Sequence, residues 1–453
     1  MRHHDLVVIG SGSGNSIVDS RFDDLDVAIV EHGVFGGTCL NVGCIPTKMY
    51  VYPADIAEHI RHASRYGIDA SIDKVRWTDI RDRVFERIDP ISRGGREYRA
   101  DRSPNVTLYE GHARFTGPRE LSIDGAEPFS ADRIVIAAGG RPAIPKVITE
   151  SGIPYETSDT VMRIDALPEH LLIVGAGYIG AEFAHVFSAL GSRVTIIGRG
   201  GQLLRSQDET VAEHFTAAVR DRWDVRLGHV ITAARHDAGG VELTLDDGSA
   251  VQGDLVLVAT GREPNSDRLD LDKAGIPVHD DGRIVVDEFQ RTPVDGVWAL
   301  GDVSSPFQLK HVANHETKVV AHNLAHPDDL RATSHKAVPW AVFTSPQIAG
   351  VGRTEAECRA DGIDYVVKIQ AYGDVAYGWA MEDRTGFCKI LAERGTGAIL
   401  GAHIMGPQAS TVIQPLIQAM AFDLGAREMA TGQYWVHPAL PEVVENALLG
   451  LDL

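Results

Sequence analysis

Cysteine is nearly absent, with Cys39, Cys44, Cys358 and Cys388 the only four in 453 residues. That is too few for a disulfide scaffold at this length, which points to a reducing compartment. Basic residues are also short, 43 against 63 acidic ones, leaving a net charge of −20. Nucleic acids and anionic membranes are bound by basic surface, so neither is expected as a partner. An anionic ligand would need local basic residues and helix N-termini to hold it against that background. No apolar run reaches the ~18 residues of a membrane span. Met1-Arg2-His3-His4-Asp5 runs straight into an apolar strand without a leader-cleavage pattern, and a cytoplasmic protein is the expectation. Cysteines and histidines form no cluster of ligand spacing, so no metal is expected. What remains, 44% apolar and 23% charged, is ordinary globular composition, enough for about two to four domains.

Two segments share one plan. Leu6-Val7-Val8-Ile9 runs into Gly10-Ser11-Gly12-Ser13-Gly14-Asn15, and Val27-Ala28-Ile29-Val30 then ends on Glu31. Strand, glycine turn and helix would lay a pyrophosphate against backbone N–H groups and a helix N-terminus. Glu31 lies 21 positions after Gly10, where a carboxylate accepts the ribose hydroxyls of an adenosine. Asn15 replaces the third glycine, which loosens the expected helix–strand packing. The second segment, Leu171-Leu172-Ile173-Val174 with Gly175-Ala176-Gly177-Tyr178-Ile179-Gly180, keeps all three glycines. Its next strand, Val194–Ile197, ends on Gly198-Arg199 instead of an acid, and Arg205 follows. These arginines are either plain surface residues or a clamp for a 2′-phosphate, which would select NADPH over NADH.

Between the two units lies Gly36-Gly37-Thr38-Cys39-Leu40-Asn41-Val42-Gly43-Cys44-Ile45-Pro46-Thr47-Lys48. Five helical residues rise about 7.5 Å and turn through roughly 140°. A disulfide needs Cα atoms about 4.4–6.8 Å apart with facing side chains. Cys39 and Cys44 can therefore pair only across an irregular turn, which the glycines permit. They are either a redox pair or two ordinary thiols near a turn. Lys48 is one helical turn beyond Cys44, either an exposed lysine or a cation able to polarise a flavin. Glu182, just past the second glycine turn, could reach it. Residues 53–100 read as helical, with Ile56, Ile60, Ala63, Val84, Phe85 and Ile88 as packing positions. Asp302 follows the apolar strand Val297–Leu300, as a turn residue or an acceptor for a cofactor hydroxyl. His437, in His437-Pro438-Ala439-Leu440-Pro441-Glu442, is either a loop histidine or a proton shuttle oriented by Glu442. Cys358 and Cys388 have no spaced partners and read as inert.

NADPH gives electrons as a hydride, whereas a disulfide is opened by thiolate exchange; a flavin between them resolves the mismatch. These motifs, in this order and over essentially the whole chain, resemble the flavoprotein disulfide reductases, the family of glutathione reductase and lipoamide dehydrogenase. The resemblance implies an α/β fold with two Rossmann-like dinucleotide-binding domains, the second inserted in the first, and a C-terminal α+β dimerisation domain. It implies FAD on residues 1–143 and 265–335, NADPH on 144–264, and an interface domain over 336–453. Cys39 would attack substrate, Cys44 would lie next to the flavin, and Lys48 and Glu182 would pair near it. Gly10, Gly12, Gly14, Glu31, Thr38 and Asp302 would hold FAD. Gly175, Gly177, Tyr178, Gly180, Arg199, Arg205 and Gly261 would serve the nucleotide side, with Tyr178 gating the nicotinamide. His437 with Glu442 would act as acid–base residue across a homodimer interface. Gly10–Ser16, Tyr372–Asp383 and the tail from His437 to Leu451 resemble a narrower branch, which implies mycothione as the disulfide. Lipoamide or glutathione disulfide, and a non-catalytic flavin redox sensor, are the alternatives.

Overall fold

β1 (His3–Ile9) carries Leu6, Val7 and Val8 with no exposed surface, as befits a strand covered on both faces of a parallel sheet. It runs parallel between β2 (Val27–Glu31) and the strand Phe129–Ile136, placing Val8 opposite Ile29 and Val135. Val106–Glu110 extends the sheet beyond β2, and Val297–Ala299 adds to Phe129–Ile136. Two antiparallel strands, Ala113–Gly117 and Glu120–Ile123, complete seven. Three helices follow β2 in the chain: α1 (Gly37–Asn41), α2 (Cys44–His62) and α3 (Trp77–Asp101). The computed structural model describes residues 1–453 throughout.

A second unit is inserted into the first. β3 (His170–Val174) and β4 (Arg193–Gly198) are central in a parallel five-stranded sheet with Asp224–Leu227, Leu255–Val258 and Glu156–Thr157. α4 (Tyr178–Leu190) and α5 (Glu209–Val219) pack beside it, with a three-stranded antiparallel sheet over residues 231–253. The outgoing and returning chains touch: Gly140–Pro142 pairs antiparallel with Arg262–Pro264. After the return, α6 (Lys310–Ala325) packs on the first unit. Residues 339–405 then build an antiparallel five-stranded sheet, and α7 (Glu442–Leu449) covers it. The architecture is two Rossmann-like domains, one inserted in the other, followed by an α+β domain. No helix is long and apolar enough to cross a membrane.

One expectation fails at the first glycine turn. No α-helix joins β1 to β2; the chain makes only short 3-10 turns at Gly14–Ser16 and Ser20–Phe22. The segment Gly14-Asn15-Ser16-Ile17-Val18-Asp19-Ser20 explains this, because glycine, serine, asparagine and aspartate compete with helical hydrogen bonding. Asp19 instead accepts from the Arg21 backbone N–H, while Ile17 and Phe22 anchor the loop in the core. The turns themselves match. Gly10 and Gly175 have φ of +102° and +127°, and a Cβ would stand 2.3 Å from Ala137 O and 2.1 Å from Ala259 O. Ile56 also departs from expectation: it is 48% exposed on the outer face of α2, while Val84, Phe85 and Ile88 are buried as the spacing predicts.

The inserted and C-terminal domains are tied by a buried charge cluster. Lys389, only 1% exposed, donates to Asp208 at 2.8 and 3.0 Å and to Thr210 at 2.9 Å, and pairs with Glu355 at 2.6 Å. Burial of such a lysine is tolerable only with its donors satisfied in this way.

Candidate active site

The helix carrying Cys39 stops at Asn41, whose side-chain amide donates to the carbonyls of Phe35 and Gly37. Val42 and Gly43 break the helical path, and α2 restarts on Cys44. That break brings the two thiols together; both are free. A hydrogen bond from Cys39 is the main cause that pulls Cys44 down to about 7, with Lys48 helping against burial. The same hydrogen bond, with burial, pushes Cys39 well above the ordinary thiol range. Cys44 is thus the natural thiolate, at the N-terminus of a 19-residue helix.

One turn along α2, Lys48 Nζ meets both Glu182 oxygens at 2.8 and 2.7 Å. Phe343, from the C-terminal domain, donates its backbone N–H to Glu182 at 2.9 Å and sets its ring 4.5 Å from the ammonium. This clamp joins all three domains at the cysteines. Nothing in the local sequence around residue 343 marks it. Tyr178, the first residue of α4, is close enough to Cys44, Glu182 and Asp302 to feel their charges. The residue as a whole is 41% exposed.

The residues around the first turn fit FAD. Glu31 is held from several sides: its carboxylate accepts from Ser11 N and Oγ at 2.9 and 2.6 Å and from Gly33 N at 2.8 Å. A carboxylate offers about four lone pairs, so capacity for a hydroxyl remains. Ser11 Oγ also accepts from Gly36 N at 2.8 Å, which fastens the glycine turn to the cysteine stretch. Ser11 went unmarked in the sequence, although its place between two glycines was the available signal. Asp302 finds no donor on another residue, and burial pushes its carboxyl up, the condition of an acceptor waiting for hydroxyl donors. Thr38 lies on α1, its carbonyl taken by Val42 N.

At the second turn a Cβ on Gly177 would meet nothing within 4 Å, so the backbone faces open space at the start of a 13-residue helix. Such a surface suits a dinucleotide phosphate. Arg199 and Arg205 are exposed beyond β4, and neither is engaged in an ion pair, which leaves both for an anion. Gly261, at φ +123°, is likewise open. His437 stands apart from these groups. Its Nδ1 is 2.7 Å from Glu442 Oε1, its side chain is 71% exposed, and Glu442 also accepts from Ala439 N at 3.1 Å. The histidine contact holds the Glu442 carboxyl below its ordinary range.

Residues 4–317 match the family model described as pyridine nucleotide-disulphide oxidoreductase, and residues 338–448 match its dimerisation domain. The chain belongs to the pyridine nucleotide-disulphide oxidoreductases. It is an NADPH-dependent flavoprotein disulfide reductase with FAD as its second cofactor. Among curated relatives, the mycothione reductase of Mycobacterium tuberculosis is 58% identical over all of both chains. The glutathione reductase of Burkholderia cepacia is 32% identical over 97% of each. Among solved structures, an HOCl-induced flavoprotein disulfide reductase of Escherichia coli superposes with a TM-score of 0.87 at 27% identity, covering 98% of this chain and 99% of that one.

Proposed function

We propose that the chain reduces mycothione to its thiol with NADPH, through FAD and the Cys39–Cys44 pair, as a cytoplasmic homodimer. The observation that carries the chemistry is the break between α1 and α2, which sets Cys39 and Cys44 against each other beside Lys48 and draws Cys44 toward its thiolate. Full-length identity to a mycothione reductase supports the substrate. Residues 1–143 with 265–335 would form the FAD domain, 144–264 the NADPH domain and 336–453 the interface.

Bound flavin supplies the conversion of a hydride into the electron pair that opens the cysteine disulfide. The protein's own residues do the rest. Cys39, once deprotonated, attacks one sulfur of the substrate, forming a mixed disulfide and releasing one thiolate. Cys44 then attacks Cys39, releasing the second thiolate and restoring the Cys39–Cys44 disulfide. The partner subunit's His437, its ring oriented by Glu442 through Nδ1, takes the Cys39 proton and gives it to the first leaving thiolate. The second thiolate is protonated with a proton that His437 draws from solvent. The exposure of His437 in the domain that matches a dimerisation model supports this role across the interface. Lys48, fixed by Glu182 and Phe343, places positive charge beside Cys44 and favours its thiolate.

The test is NADPH oxidation by the yellow holoenzyme with mycothione, glutathione disulfide and lipoamide supplied in turn. Turnover with mycothione far above the others is expected. Preference for another disulfide would overturn the substrate, and silence with all three would overturn the enzyme in favour of a redox sensor.

A further inference from the structure

The first glycine turn must hold a diphosphate without the helix that the second turn possesses. α4 gives the second turn 13 aligned peptide dipoles; the first is followed by a single 3-10 turn, which offers almost none. The chain as a whole is strongly acidic, and Glu31 is beside this turn. Some cation has to compensate.

Two basic residues reach the segment. Arg99, from α3, donates to Asn15 Oδ1 at 2.8 Å, to Asn15 O at 3.0 Å and to Val18 O at 2.7 Å. Its guanidinium is therefore occupied in holding the non-helical path in place. Lys310 is different. It is the first residue of α6, a 16-residue helix, and its Nζ donates to Ser13 Oγ at 2.8 Å, inside the glycine turn. It has no carboxylate partner among the ion pairs of the chain. Thr317, two turns along the same helix, bonds its hydroxyl to Ala313 O at 2.7 Å and lies 3.4 Å from Ser13 O, so the first half of α6 abuts the turn. The ammonium is also near enough to lower the proton affinity of Cys39 and of Asp302, which places it between turn, thiols and the Asp302 carboxyl.

Granting the flavin-dependent function proposed above, we propose that Lys310 supplies from α6 the positive charge that offsets the FAD diphosphate where no helix follows the glycine turn. A compact ammonium next to Ser13 can bond a phosphate oxygen directly, and the N-terminus of α6 adds its own dipole. The binding device has moved from the helix expected after β1 to a helix about 300 residues later in the chain.

The experiment uses flavin-free full-length protein, with FAD uptake followed by quenching of flavin fluorescence and with ADP or adenosine as competitors. Lys310→Met should weaken FAD and ADP by about tenfold or more, the loss of one charge-assisted phosphate contact, and leave adenosine within about twofold. Lys310→Arg should recover most of the affinity, and salt should weaken FAD less in the methionine variant than in the wild type. Equal melting temperatures of the flavin-free proteins check that the fold survives. Wild-type FAD affinity in Lys310→Met, or an equal loss for ADP and adenosine, would overturn the assignment. A wild-type protein that takes up no FAD would overturn the flavin-dependent function itself, and this assignment with it.

Discussion

The two glycine turns begin alike and end differently. Each leaves a buried parallel strand, bends at a glycine of positive φ and passes under the backbone exit of a neighbouring strand. After Gly177 the chain enters α4, nearly all of it buried. After Gly14 it enters a loop propped by Arg99. The bend is fixed by steric contact with Ala137 and Ala259, which tolerates no side chain. The helix is a separate decision, made by the residues that follow. A glycine fingerprint therefore specifies a turn, and its helix has to be read from local propensity.

The largest effect should separate the two halves of the site. Cys39→Ser should lower disulfide turnover by about a thousandfold or more, because no nucleophile remains for the substrate. Reduction of the bound flavin by NADPH, which needs both nucleotide sites but not Cys39, should proceed as in wild type; its loss in rapid-mixing experiments would break the division. Next, replacing both Arg199 and Arg205 by alanine should reduce kcat/KM for NADPH by more than about a hundredfold, from charge-assisted contacts of about 1.5–3 kcal/mol each. NADH kinetics and FAD content should stay close to wild type, whereas an equal loss with both nucleotides would place the arginines away from the 2′-phosphate.

Arg99→Met addresses the prop that only the first turn needs. Three bonds to a half-buried guanidinium are lost, and urea unfolding should show about 2 kcal/mol of destabilisation. A variant as stable as wild type would mean that the loop holds itself. Gly177→Ala sharpens the other side. The added Cβ meets no protein atom, so the melting temperature should hold while KM for NADPH rises. A drop in stability with unchanged KM would show that this surface is not the nucleotide's. The smallest effect concerns Cys44. In flavin-free reduced protein its alkylation rate should rise through a midpoint near pH 7. Lys48 favours the thiolate, so Lys48→Gln should move that midpoint upward, towards about 8.5 for an ordinary thiol. A midpoint that does not move would remove Lys48 from the thiol's environment.

Short-range features were the legible ones. Strand runs such as Leu6–Ile9 and Leu171–Val174, the glycines after them and the cysteine stretch are all written within a dozen residues. Lys48 and Glu182 could be paired because each follows a recognisable motif. The absent helix was legible in principle from Asn15, Ser16, Asp19 and Ser20, but the strand–glycine–strand spacing outweighed propensity. Ser11, Phe343, Arg99 and Lys310 act through contacts with distant parts of the chain, and periodicity carries no record of those. The exposure of Ile56 was hidden for the same reason, since a helix pattern does not say which of its apolar stripes finds a neighbour.

The most direct test of the central claim is a thiol count after one equivalent of NADPH is added anaerobically to the oxidised holoenzyme. Alkylation and peptide mass analysis should find about two new thiols per chain, at Cys39 and Cys44, because the electron pair passes through the flavin to their disulfide. Consumption of NADPH with no new thiol at either position would contradict a redox-active cysteine pair.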